Sequence, residues 1–141
     1  MQMPRPNPDV LTRKAELVRR LHALLPSDSV ISDPVETKAY ECDGLSAYRC
    51  PPMAAVLPRS TQEVAAVLKL CHEMNVPVVP RGAGTSLAGG ALPTADSLIL
   101  GVARMNDVLE TDYENRVIKV QTGRTNLSVT GAVEAQGFFY A

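Results

Sequence analysis

Val78-Val79-Pro80-Arg81-Gly82-Ala83-Gly84-Thr85-Ser86-Leu87-Ala88-Gly89-Gly90-Ala91-Leu92-Pro93 places four glycines within nine residues directly after an apolar run. Glycine has no Cβ, so it reaches positive φ and lets backbone N–H groups approach an anion at a distance that a side chain would block. Successive N–H groups turned inward form an anion-binding nest. Thr85 and Ser86 add hydroxyl donors, and Arg81 adds either a charge for the anion or a brace for the loop. A diphosphate suits that set of donors. Composition alone also allows a plain surface connection, because glycine and proline punctuate loops of every kind.

Two familiar nucleotide loops are excluded by the residues that follow the glycines. A Walker A loop needs G-x-x-x-x-G-K-[ST]; Gly84 and Gly89 have the spacing, but Gly90 stands where the lysine belongs. A Rossmann fingerprint needs G-x-G-x-x-G; Gly82 and Gly84 fit, but Leu87 occupies the third glycine position. ATP on a P-loop and NAD in a Rossmann crevice are therefore both set aside.

The stretch does resemble the PRGAGT-type pyrophosphate loop of FAD-linked oxidases of the vanillyl-alcohol oxidase type. Tyr40-Glu41-Cys42-Asp43-Gly44-Leu45-Ser46-Ala47-Tyr48-Arg49 looks like the segment before the flavin domain of glycolate oxidase FAD-binding subunits, and Phe139-Tyr140-Ala141 resembles the approach to that family's second FAD segment. The resemblance implies an α+β (α/β-like) fold: the N-terminal part of a PCMH-type FAD-binding domain, a β-α-β unit with a small mixed sheet preceded by N-terminal helices. Its implied boundaries are an N-terminal helical segment at 1–51 and the first half of the FAD-binding domain at 52–141. Carried over position by position, Pro80, Arg81, Gly82, Ala83, Gly84, Thr85, Ser86, Gly89 and Gly90 are the expected holders of the FAD pyrophosphate. The implied activity is oxidation of a small 2-hydroxy acid, with hydride passing to the flavin and with other oxidase subunits as partners. Some relatives tether the flavin through a histidine in this loop. Ala83-Gly84-Thr85-Ser86 offers no histidine, cysteine or tyrosine, so noncovalent FAD is expected.

Outside the loop, composition narrows the classes. A chain of 141 residues, 45% hydrophobic and 21% charged, suits one soluble globular unit. At this length roughly 70% of the unfolded surface can be buried, so a real core is possible. A net charge of −1 leaves no electrostatic footprint for nucleic acid or an anionic membrane. The three cysteines, Cys42, Cys50 and Cys71, lie far apart in the sequence, and with only His22 and His72 they indicate neither a disulfide framework nor a zinc site. No apolar run is long enough to span a bilayer, and a cytoplasmic chain is expected.

The rest of the chain supplies elements. After a proline-rich lead-in, Val10, Leu11, Lys14, Ala15, Val18, Leu21, Leu24 and Leu25 recur at helical spacing, and Pro26 ends that helix. Asp33-Pro34-Val35-Glu36 reads as a capped start of a short helix toward Tyr40, ended by Asp43-Gly44. Ala54-Ala55-Val56-Leu57 reads as a strand buried on both faces. A helix follows from the capping box Ser60-Thr61-Gln62-Glu63, with Val64, Val67, Leu68, Cys71 and Met74 on its apolar face. Val76 to Pro80 is the next strand, which puts the glycine loop at a strand's carboxyl end. Leu87 to Ala95 lacks helical periodicity, so the loop must bind through its own amides. Ser97 to Val102 reads as a strand, and Leu109–Thr111 with Arg116–Gln121 as a hairpin turning at Glu114-Asn115. Leu127 to Gln136 reads as a helix ended by a left-handed Gly137, with Gly131 marking a close approach inside it. The apolar run at Phe138-Phe139-Tyr140-Ala141 carries the expectation of a truncated chain. A second reading follows from that: as a free piece, the chain is a noncatalytic module that binds a phosphate, a nucleotide or a partner subunit.

Overall fold

The computed structural model describes residues 3–140. Asn7 opens the first helical turn, α1 (Pro8–Leu11): its Oδ1 accepts the Asp9 N–H at 3.0 Å. Proline at the first helical position costs nothing, since that N–H has no intrahelical partner anyway. The single helix expected through Leu25 is interrupted at Thr12 and Arg13, and α2 (Lys14–Leu24) follows. The cause is local competition for one carbonyl. Thr12 Oγ1 and Arg13 Nε donate to the Asp9 carbonyl at 2.9 and 3.0 Å, while the Arg13 N–H turns to Val10 at 3.1 Å. Asp9 thus loses the backbone partner that would have continued the α-helix. A stripe counted straight through this break holds at Val10, Leu21 and Leu25, misses Leu17 and wrongly includes Leu11 and Leu24. Val10, Leu17, Leu21 and Leu25 are buried, whereas Leu11 and Leu24 are 37% and 45% exposed.

Strand β1 (Val30–Ile31) precedes the capped turn at Asp33, whose Oδ1 accepts N–H groups from Val35 and Glu36 at 2.7 and 3.2 Å. That turn winds as a 3₁₀ segment, Glu36–Tyr40, in place of the expected α-turn, and it ends before Asp43-Gly44. Strand β2 (Ala54–Val56) is buried throughout, and α3 (Thr61–Glu73) starts from Ser60, whose Oγ accepts the Glu63 N–H at 3.2 Å. The return bond of the capping box is shifted by one residue: Glu63 Oε2 accepts the Arg59 N–H at 2.7 Å. The inward face of α3 is Val67, Leu70, Cys71 and then Met74, with Leu68 turned outward. Leu70 takes the place that the sequence pattern assigned to Leu68, because the sheet lies against the 67/70/71/74 side of the helix.

Strands β3 (Val78–Arg81) and β4 (Leu98–Gly101) complete a four-stranded sheet in the order β1-β2-β4-β3. β2, β4 and β3 run parallel and β1 antiparallel at the edge, so the expected small mixed sheet is present. β4 inserts between β2 and β3. The β2-α3-β3 crossover therefore skips one place. β3 is the opposite edge, and Pro80 fits it: Pro77 and Arg81 carbonyls accept from Leu98 of β4 and Val102 just past it, so Pro80, in the alternate register, faces outward where no N–H is needed. Leu17 and Leu21 of α2 and Val67, Leu70 and Cys71 of α3 close over Ala54, Val56, Leu98 and Leu100 to form the core. Burying each leucine removes it from water at a gain of about 1.5–3 kcal/mol.

Beyond the sheet, β5 (Val108–Asp112) and β6 (Val117–Val120) form the expected antiparallel hairpin, with a register irregularity between Val108 and Glu110. Its turn is held by Asp112, which accepts the Asn115 backbone and side-chain N–H groups at 2.9 and 2.7 Å. Helix α4 (Asn126–Val133) is capped by Thr125 and runs on into a 3₁₀ turn, and Gly137 takes φ 81° as expected. Gly131 marks no close approach: a Cβ there would meet nothing within 4 Å among the described residues. The close approach is at Gly123, where a Cβ would fall on the Val102 carbonyl oxygen. Met1, Gln2 and Ala141, which belong to the lead-in and to the third matching segment, lie outside the described residues.

Candidate functional site

The parallel strands point their carboxyl ends at one rim of the sheet, and the glycine loop leaves β3 at that rim, where ligands of open α/β sheets bind. Its glycines divide by geometry. Gly84 and Gly89 take φ 72° and 75°, in the left-handed region that side chains disfavour. Gly82 does not, and a Cβ on it would meet nothing within 4 Å. Gly90 lies beside Ser86, so the second half of the loop folds back against the first. No helix follows the loop before β4.

The backbone donors of the loop are free. Among the described residues, the N–H groups of Gly82, Ala83, Gly84, Thr85, Ser86 and Leu87 have no hydrogen-bond partner. Leu92 donates to the Gly89 carbonyl at 3.2 Å, and Ser86 Oγ accepts the Ala88 N–H at 3.2 Å, which shapes the second turn. The Ser86 hydroxyl hydrogen remains available to donate outward. This is a run of exposed donors on a shaped backbone.

The geometry of Arg81 is that of a brace. Its Nη1 donates to the Cys42 carbonyl at 2.7 Å, its guanidinium lies over the Tyr40 ring at 5.7 Å, and a Cβ on Gly84 would fall on that same guanidinium. Gly84 is thus required twice, by its positive φ and by the arginine beneath it. The segment that receives Arg81 also packs on the loop directly. A Cβ on Gly44 would stand 2.7 and 2.8 Å from the carbonyl oxygens of Thr85 and Ser86. Asp43 is buried, accepting the Leu45 N–H at 2.9 Å and the Ala91 N–H at 3.5 Å. Cys50 N–H donates to Glu41 at 2.7 Å and Arg49 pairs with Glu41 at 3.0 Å, closing the segment on itself.

Cys42, Asp43, Gly44 and Ala91 were therefore missing from the sequence-derived site. The signal for Cys42, Asp43 and Gly44 was the resemblance of Tyr40–Arg49 to the segment before the flavin domain, which named no individual residue as part of the site. Burial pushes the Cys71 thiol up from 9.0 to about 11, and burial followed by the Asp96 charge raises Cys50. Among the described residues no cluster of histidine, cysteine, aspartate and glutamate could hold a metal ion, and no helix is long and apolar enough to cross a membrane. A separate cleft of about 430 Å³ lies between the hairpin and the chain's last residues, lined by Tyr113, Val117, Val129, Val133 and Phe138. No residue of the glycine loop reaches it. Its lining is chiefly aliphatic and aromatic, whereas the loop presents donors, so the loop is the candidate site.

Comparison with known proteins bears on what such a loop holds. A family model described as an FAD binding domain matches residues 52–141. Glycolate oxidase subunit GlcD of Escherichia coli (strain K12) is 41% identical over 134 residues, covering 95% of this chain and 26% of that protein. D-lactate dehydrogenase of Anaerostipes hadrus is 33% identical over 126 residues, covering 89% and 26%. The chain thus spans about a quarter of the length of these curated relatives. Among solved structures, p-cresol methylhydroxylase with substrate bound superposes with a TM-score of 0.78 at 22% identity, over 93% of this chain and 26% of that one. At that identity the likeness speaks for the fold, which is the PCMH-type arrangement expected from the sequence.

Proposed function

Because the chain belongs to the FAD-binding domain family, we propose that its glycine loop holds the diphosphate of FAD without a covalent bond, in a protein that oxidises small 2-hydroxy acids. The observation that carries this reading is the run of unpartnered amides from Gly82 to Leu87 at the carboxyl rim of a parallel sheet. Each amide that reaches a charged oxygen contributes about 1.5–3 kcal/mol, more than the roughly 0.3–1 kcal/mol a helix terminus would add. Several converging amides therefore suffice without a following helix.

The residues fit the group by their chemistry. Gly82, Ala83, Gly84, Thr85 and Ser86 are the backbone donors, Thr85 and Ser86 add hydroxyls, and Gly89 and Gly90 fold the second turn back against the first. Pro80 and Arg81 fix where the loop starts. The loop holds no histidine, cysteine or tyrosine to tether a flavin, which supports noncovalent binding. When bound, FAD supplies the hydride acceptor, and this chain's part is to hold and orient it. The organisation that fits this role is a leading helical segment, 1–51, and the first half of the FAD-binding domain, 52–141. Its partners are then the remaining subunits of an oxidase, in the cytoplasm.

The visible spectrum of the purified chain after incubation with FAD and gel filtration tests the proposal. Retained flavin absorbance, released by acid or denaturant, is the expected result, and it is lost in Gly84→Val. A folded chain that retains neither FAD nor ADP would overturn the assignment of the loop. Flavin that stays with the polypeptide after denaturation would overturn the noncovalent part.

A further inference from the structure

We propose that Tyr40–Gly44 is the mould of the diphosphate loop, with Arg81 as a positioning residue that locks the loop onto it and does not itself contact the diphosphate. This rests on the reading of the loop as the FAD diphosphate site. The two pieces are 39 residues apart in sequence where Arg81 meets Cys42, yet they meet at three independent points. The Arg81 guanidinium is committed on one side to the Cys42 carbonyl at 2.7 Å and on another to the Tyr40 ring at 5.7 Å, and the Gly84 backbone lies against it. Gly44 is in van der Waals contact with the Thr85 and Ser86 carbonyls, so a methyl group there would drive them back. Asp43 accepts the Ala91 N–H at the far end of the loop.

The direction of these contacts gives the arrangement its purpose. The mould takes the carbonyls of Thr85 and Ser86 on its own side, and in a trans peptide unit the N–H points opposite to the carbonyl, so the Ser86 and Leu87 N–H groups turn away from the mould. Those two amides are thereby aimed outward before any ligand arrives, and a preset loop does not have to be ordered at the moment of binding. Arginine is suited to this post and lysine is not: a planar fork can stack on the tyrosine ring and donate to a carbonyl at once. The chemistry of the loop is thus set by a segment outside the residues that the family model covers.

The test uses the whole 141-residue chain and reads the loop both without and with ligand. Backbone ¹⁵N order parameters of Gly82 to Leu87 in the apo chain are expected near about 0.85, falling below about 0.6 in Arg81→Gln, Arg81→Lys and Tyr40→Leu while β4 stays rigid. Gly44→Ala acts from the other side and shifts the same amide resonances. In titrations with FAD and with ADP, affinity falls about tenfold or more in Arg81→Gln, by the same factor for both ligands, with the salt dependence of the wild type retained. Unchanged loop order in the Arg81 and Tyr40 variants would overturn the proposal. So would an Arg81→Lys chain that behaves as wild type, or an Arg81→Gln chain whose affinity has lost its salt dependence, since both mark a charge acting on the ligand. A wild-type chain that binds neither FAD nor ADP, while the loop still loosens in the variants, defeats the FAD reading and leaves the mould in place.

Discussion

Gly84→Ala and Gly82→Ala are matched in chemistry and lie two residues apart, yet the structure assigns them opposite outcomes. At Gly84 the new methyl meets two costs. A left-handed φ of 72° costs a side-chain-bearing residue roughly 1–2 kcal/mol. The Arg81 guanidinium occupies the Cβ position and must leave, giving up a charged hydrogen bond to Cys42 of about 1.5–3 kcal/mol and a stacking interaction with Tyr40 of about 0.5–1 kcal/mol. The lower values suit a half-exposed arginine. The stiffer unfolded chain returns about 0.4–1 kcal/mol, which leaves Gly84→Ala destabilised by roughly 2–4 kcal/mol. At Gly82 the methyl meets nothing within 4 Å and needs no unusual φ, so only the unfolded-state effect remains, and the chain is unchanged or stabilised by up to about 1 kcal/mol. Urea denaturation of both variants, followed by circular dichroism, measures the difference directly. Equal midpoints would refute the reasoning, because they would mean that neither the backbone conformation nor the Arg81 brace holds in solution.

Three other outcomes follow from the same structure. Leu17→Ala, at a position with 0% exposure, costs about 2–5 kcal/mol in chemical denaturation, whereas Leu24→Ala, 45% exposed, costs less than about 1 kcal/mol. Ser60→Ala removes the α3 cap and costs about 1 kcal/mol by the same assay, while Ser60→Asp retains most of it. Cys71, pushed up to about 11 by burial, stays unmodified by iodoacetamide at pH 8 until the chain unfolds, as peptide mass mapping can follow. The folded chain keeps that thiol protonated while the unfolded chain releases its proton near 9.0. The associated stability is therefore intact below pH 9 and declines as pH rises toward 11, and Cys71→Ala removes this contribution.

What could be read in advance was whatever short-range chemistry controls. Pro26 ends α2 because a proline cannot supply the next N–H, Ser60 starts α3 because its hydroxyl reaches an N–H three residues on, and Gly137 is left-handed at the chain's last turn. Periodicity failed where a side chain diverted the backbone. Thr12 and Arg13 compete for the Asp9 carbonyl, which breaks the first helix: Val10, Leu21 and Leu25 are buried as the spacing predicts, but Leu17 is buried in place of Leu11 and Leu24. Gly131 and Gly123 show the same limit from the other side. Both are single glycines near a helix, but only Gly123 is pressed against the Val102 carbonyl just past β4, and nothing in the neighbouring letters distinguishes them.

The donor chemistry of the loop from Gly82 to Gly90, its place after a strand and the lack of a tethering side chain belong to the sequence by itself, because they depend on residue types and on neighbours in the chain. The insertion of β4 between β2 and β3, the inward face of each helix and the docking of Tyr40–Gly44 beneath the loop were decided by the tertiary structure alone. The physical reason is separation along the chain. A contact between Arg81 and the Cys42 carbonyl, 39 residues away, exists only after the sheet has formed, and it converts Arg81 from a free charge into the support on which Gly84 rests.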